Sequence, residues 1–199
     1  MKAYACALAF AVLLPSGGAA DEFDPGARVS GFHDELLAAM QSGLDFAGRC
    51  EALRDAVSEF FDIATISRIS LGRTWRSLDA QSQAEFSDLL QRLIVATYAS
   101  RFDAYNGQSF HTLSAEAASR GWVVKTELAR SNGETVTLDY YFRDAGVFNV
   151  VADGVSDLSL RRADYNSIVK SDGYAALLEH LRSKIAEFSA DSHKDTQGE

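Results

Sequence analysis

A change of hydrophobic period at Gly107 constrains this chain more than any other feature. Before it, apolar residues recur every three to four positions. After it they recur every second position as far as Ala152, and helical spacing returns near Leu160. A chain that reads helix, then strand, then helix is expected to lay a helical layer against one face of an antiparallel sheet, an α+β arrangement. Only two prolines occur, Pro15 and Pro25, so nothing after Gly26 interrupts this order with a strong breaker, and one continuous domain is expected.

The helical half has four parts. Phe32, Leu36, Leu37 and Met40 form one stripe, and Cys50, Leu53, Val57, Phe60 and Phe61 form a second. Asp62 then opens a short helix carrying Ile63, Ile66 and Ile69, which stops near Gly72. Asp79 is the expected N-cap of the longest helix, with Phe86, Leu89, Leu90, Leu93, Ile94, Tyr98 and Phe102 on its stripe and an end at Asn106-Gly107. In the sheet, Trp122, Val124, Thr126 and Leu128 alternate with polar neighbours, and Asn132-Gly133 supplies a hairpin turn. Val136, Leu138, Tyr140 and Phe142 return, followed by Phe148, Val150 and Ala152, and a first strand is expected near Ser109 to Ala117. About four strands with one apolar face result. A final helix carries Tyr174, Leu177, Leu178, Leu181, Ile185 and Phe188.

The compartment is read from the start of the chain. Lys2 precedes an apolar run from Ala3 to Leu14, and the small residues Gly18 and Ala20 follow, so residues 1–20 are expected to be a signal peptide cut after Ala20. That run is too short to span a bilayer, so no stable membrane anchor is expected. A single domain over 21–190 and a flexible tail over 191–199 complete the expected organisation. Cleavage removes Cys6 and leaves Cys50 alone on a helical pattern, where a packed thiol fits better than a reactive one. With 28 acidic against 19 basic residues and a formal charge of −9, nucleic acid is excluded as a natural partner.

No residue pattern announces chemistry. His33, His111, His180 and His193 are scattered with no partner at metal-ligand spacing, so no metal, cofactor or catalytic residue is expected. Gly154-Val155-Ser156-Asp157 lacks the second glycine of a serine elbow. Asp139 and Asp153 leave open a proton-transfer enzyme in a cone-shaped α+β fold, which would need a buried carboxylate of raised pKa. Arg161-Arg162 with Asp164-Tyr165 is the densest polar cluster, suited to a headgroup phosphate or an acidic partner surface, or simply to pairing with surface carboxylates. The aromatics could fill one dry core or surround a cavity, and periodicity alone does not separate the two.

Three ordered blocks carry a resemblance. Phe61-Asp62-Ile63-Ala64 with Ile69-Ser70-Leu71-Gly72-Arg73-Thr74-Trp75-Arg76 is the first, and Phe86 through Thr97-Tyr98-Ala99-Ser100-Arg101-Phe102 is the second. Asp153-Gly154-Val155-Ser156, an Arg-bearing helix and Gly173-Tyr174-Ala175-Ala176-Leu177-Leu178 make the third. Together they resemble the MlaC, or toluene-tolerance, family of periplasmic lipid carriers. Val155 to Tyr165 and Thr97 to Asp103 look most like its hopanoid-associated branch, HpnM, although Phe148 stands where those proteins usually carry Trp.

The resemblance implies an MlaC-like, NTF2-like cone enclosing an apolar cavity rather than a dry core. It implies a periplasmic carrier of a hopanoid or phospholipid that exchanges with an inner-membrane transporter or exporter and an outer-membrane acceptor. The expected lipid-binding residues are, on the helices, Phe61, Ile66, Ile69, Leu71, Trp75, Phe86, Leu90, Leu93, Ile94, Tyr98 and Phe102. On the strands they are Val124, Leu128, Val136, Leu138, Tyr140, Phe142 and Val150. Arg161 and Arg162 are expected at the headgroup or at a docking surface.

Overall fold

Aspartates set where the helices start. In the computed structural model, which describes residues 23–195, Asp24, Asp45, Asp62 and Asp79 each accept a hydrogen bond from the backbone N–H three residues on, at 2.7–3.0 Å. Such caps satisfy one of the amide groups that a helix start leaves without an internal partner. They open α1 (Pro25–Gln41), α2 (Phe46–Phe60), α3 (Ile63–Leu71) and α5 (Ala80–Arg101), with the short α4 (Arg73–Ser77) between the last two. Ser156 caps α6 (Asp157–Asp172) in the same way, and α7 (Tyr174–Asp195) follows Gly173. The expected signal segment lies outside the described residues. So does the end of the expected tail, and α7 continues as helix through the tail's first half to Asp195.

Two helical details differ from the sequence reading. The helix α4 was not anticipated. The helix α5 stops at Arg101 rather than at Asn106-Gly107, because Phe102 leaves helical geometry (φ −115°, ψ 60°) to stack on Tyr98 at 5.8 Å between ring centroids. Packing of the Phe102 ring thus decides the end, not the Asn-Gly signal.

The sheet is an antiparallel meander in the order β1 (Ser109–Ala118), β2 (Gly121–Ala129), β3 (Thr135–Arg143), β4 (Gly146–Ala152), β5 (Val155–Ser156). It has five strands against about four expected, the fifth being two residues long. Asn132 closes the β2–β3 turn by accepting from the Glu134 N–H at 3.0 Å. Strand β1 carries a bulge: Thr112 pairs with Thr126 and Ser114 with Lys125, which leaves Leu113 unpaired and 61 % exposed.

The helical layer is two deep. The helix α5 packs between α2 and α7, α6 lies on α3, and α1 lies against α2 and the first two strands. Arg49, buried, fastens α2 to the end of α5 by donating from Nε to the Ala99 carbonyl at 2.9 Å. Cys50 is half-buried and its thiol is pushed up by burial, consistent with packing rather than reactivity. The start of α3 is clasped to the sheet: the Asp62 N–H donates to the Val147 carbonyl at 2.9 Å, and Phe61 bridges to Val147. This clasp sets one wall of the site described next.

Candidate functional site

Where the last two turns of α5 pass over the hairpin end of β2 and β3, the layers separate and leave a cavity of about 410 Å³. That size falls in the usual range for small-molecule sites, roughly 300–1,000 Å³. From the helices, Phe61, Ile66, Ile94, Tyr98 and Phe102 face it. From the strands come Leu128, Val136, Leu138, Tyr140 and Val150, all on the inward parity, joined by Phe148 and Ala152. Thr97, Arg101, Gln108, Arg130, Asp157 and Arg161 supply the polar part of the lining.

Ten of the expected residues therefore meet in one place, and eight do not. Ile69, Leu71, Trp75, Phe86, Leu90, Leu93, Val124 and Phe142 lie outside the lining. Their positions follow from packing. Upstream of Ile94, α5 is enclosed by α2 and α7, so Leu90 and Leu93 belong to the closed core. Phe86 meets Trp75 and Tyr165 edge-on, at 6.4 and 5.9 Å, on the side of α5 facing α6. Leu71 is buried in the core, and Ile69 and Trp75 pack against it. Val124 and Phe142 sit toward the opposite end of the sheet, where Phe142 contacts Phe60 and Phe23.

Some missed lining residues had a signal. Phe148 and Ala152 share the parity of Val150, and Thr97 and Arg101 follow Ile94 and Tyr98 by one helical turn. Gln108 and Arg130 lie at strand borders, and no periodicity reaches them.

The two arginines of α6 part company. Adjacent helical residues point about 100° apart, so both cannot face one site. Arg161 turns inward, its side chain 12 % exposed, and donates to Asp157 Oδ2 at 2.6 Å and to the Tyr165 hydroxyl at 3.2 Å. Arg162 is exposed and takes no part in the lining.

Tyrosines give the cavity polar points within apolar walls. Burial raises the Tyr140 phenol well above its ordinary range, and its hydroxyl lies 2.9 Å from His33 Nε2. Burial likewise raises Tyr98, with the Asp157 carboxylate adding to the shift and Arg101 and Arg161 opposing it. Both phenols stay neutral and can donate. The carboxylates considered for proton transfer are elsewhere: Asp153 serves a turn, accepting from the Thr137 N–H at 2.8 Å, and Asp139 faces away from the cavity in register with Val151. A second hollow of about 440 Å³ between α1 and α2 is lined by small and charged side chains around Phe32 and Phe60.

Among the described residues, no cluster of His, Cys, Asp and Glu could hold a metal ion, and no helix is long and apolar enough to cross a membrane. No functionally curated protein matches the chain. Its fold is similar to that of the phospholipid-binding protein from Ralstonia solanacearum, solved in complex with a phospholipid at 1.53 Å. The TM-score is 0.73 at 21 % identity, over 83 % of this chain and 99 % of that one. The MlaC protein family profile matches residues 31–183, which spans the sheet and every residue of the cavity lining. The chain is a member of the MlaC family.

Proposed function

We propose that this protein is a lipid carrier and not an enzyme, and that it holds the apolar part of a phospholipid or hopanoid in the cavity between α5 and the sheet. The observation that carries the reading is the cavity itself: a void among Phe61, Ile94, Phe102, Leu138, Phe148 and Val150 that the fold does not fill. A well-packed interior leaves few voids larger than a water molecule, so one of this size lined by aromatic and branched groups is a binding space. Each methylene buried there is worth about 0.8 kcal/mol, which keeps a lipid from the water it must cross. The phospholipid in the similarly folded Ralstonia solanacearum protein supports the same use. The enzyme alternative lacks support, since the one carboxylate in the lining, Asp157, is paired with Arg161.

The setting proposed is the periplasm, reached through the signal segment, with loading and unloading at an inner-membrane transporter or exporter and an outer-membrane acceptor. The segments around Thr97 and Val155 to Tyr165 support the hopanoid-associated branch. The test is native mass spectrometry of protein purified from its own periplasm, beside Leu138→Asp, which places a charge in the apolar wall. The wild type should carry an added lipid mass, and a Leu138→Asp variant that keeps its circular dichroism should carry none. Lipid retained at the wild-type level by the folded variant would move the binding space elsewhere. An empty wild type that takes up nothing from vesicles would end the carrier reading.

A further inference from the structure

The mouth of the cavity has the wrong sign for this chain. The protein carries a formal charge of −9, yet the lining holds three arginines, Arg101, Arg130 and Arg161, against the single carboxylate of Asp157. Resting on the lipid-carrier reading, we propose that Arg101, Arg161 and the Tyr98 hydroxyl form an anion subsite at that mouth. It holds the charged oxygen of a carboxylate or phosphate head and selects anionic over neutral lipids.

Three observations lead there. Arg161 is only partly used: Nε serves Asp157 and one terminal nitrogen serves Tyr165, while a guanidinium has five N–H donors. Arg28 Nε is the one buried side-chain atom without a partner among the described residues, so the remaining Arg161 donors are not sealed in protein. They open onto the cavity that Arg161 lines. Asp157 fixes the fork in place, which lowers the cost of ordering it around a ligand.

Tyr98 is clamped by rings on three sides, with centroids 5.2 Å from Phe32, 5.7 Å from Phe61 and 5.8 Å from Phe102. Its hydroxyl has no hydrogen-bond partner among the described residues, yet it lies within electrostatic reach of Asp157, Arg101 and Arg161. A clamped phenol with an unused O–H, lining the same cavity as two guanidinium groups, is a donor able to meet a ligand oxygen there.

Arg101 is exposed on the last turn of α5 and forms no ion pair among the described residues. Arg130 closes the rim from the sheet side but is already paired with Glu134 at 3.3 Å, so it contributes less. The geometry also separates headgroup from docking roles. Arg161 is too enclosed to meet a protein surface, and exposed Arg162 is free to do so.

A neutral lipid alcohol could use the Tyr98 hydroxyl but would leave the arginines without a counter-charge, and discrimination by charge follows. The test titrates delipidated protein with pairs sharing one chain and differing in head: palmitate against hexadecanol, and palmitoyl lysophosphatidate against monopalmitoylglycerol, all below aggregation. The wild type should prefer the anionic member by about tenfold or more, the worth of one hydrogen bond to a charged group. Arg101→Gln and Tyr98→Phe should each cut that ratio to within about threefold, the first by weakening the anionic member and the second by weakening it more than hexadecanol, whose alcohol can also use the Tyr98 hydroxyl. Preference in both pairs assigns a general anion site, and preference in the second pair alone assigns a phosphate site.

The proposal is overturned if the wild type binds hexadecanol as tightly as palmitate and shows no preference in the phosphate pair. It is also overturned if the ratio survives both substitutions, or vanishes in 0.5 M salt as through-space attraction to exposed charge would at a Debye length of about 4 Å. Failure of every probe to bind would instead remove the carrier reading on which the subsite rests.

Discussion

His33 ties the first helix to the sheet and gives that joint a pH dependence. It is 3 % exposed, its Nε2 lies 2.9 Å from the Tyr140 hydroxyl, and its ring stacks on Phe110 at 3.9 Å. Burial lowers its pKa to about 4 from an ordinary value of 6.5. The sign follows from proton uptake: between those two values the unfolded chain is protonated at His33 and the folded chain is not, so acid favours unfolding. The contribution is complete above pH 6.5, is lost progressively as pH falls to about 4, and amounts to on the order of 3 kcal/mol. Urea unfolding of the wild type and of His33→Gln, which keeps a polar partner for Tyr140 without titrating, should show the wild type losing more stability over this window. Parallel curves would remove His33 as the cause. The sequence placed His33 on a helix among apolar neighbours but gave no sign of Tyr140, because the two are joined only when α1 lies across the strands.

Among the elements, α3 is tied to the sheet beside the cavity, where Phe61 and Ile66 line one side and the clasp at Asp62 holds its start. Gly146 makes this possible. A Cβ there would sit 2.9 Å from Asp62 Cβ and 3.2 Å from its backbone nitrogen, with no room for the clasp between Asp62 and Val147. Gly146→Ala should therefore cost about 1–3 kcal/mol through overpacking. Gly31→Ala, in the body of α1 with nothing within 4 Å, should add about 0.5–1 kcal/mol by favouring helix. Thermal unfolding of the pair should show shifts of opposite sign, and a neutral Gly146→Ala would mean that α3 yields freely. Much at this scale was legible: Asp62 and Asp79 as caps, Gly72 as a break, and the alternation of β2 and β3. The end of α5 was not, because stacking of Phe102 on Tyr98 outweighs a local turn signal. The division of one helical stripe was equally hidden. Leu90 and Ile94 are a turn apart and read alike, yet α2 and α7 close over the first while the second meets the cavity.

Taken whole, the molecule keeps a packed core at one end of the sheet and an unfilled space at the other, with Phe61, Ile66, Ile94 and Tyr140 shared between them. The separation explains why apolar spacing located the sheet and helices but did not mark where the cavity lies. Periodicity reports which face points inward, and only the spacing of the layers tells whether that interior is filled. The meander is open rather than closed into a barrel, and β1 forms its outer border. That border showed only faintly in the sequence, because the extra residue Leu113 shifts its alternation out of phase and most of the strand is exposed. The same irregularity makes the border a poor template for strand addition. A regular outer strand offers its free amide and carbonyl groups to any other chain, and a protuberant residue with added twist spoils the fit. Deleting Leu113 would leave each remaining partner of β1 in place and make the border straight. Light scattering at rising concentration should then show self-association in the deletion variant at concentrations where the parent stays dispersed, and equal scattering would assign the protection elsewhere. Self-association on deletion would make the bulge a guard against fibre-like growth by strand addition, a hazard of any open sheet.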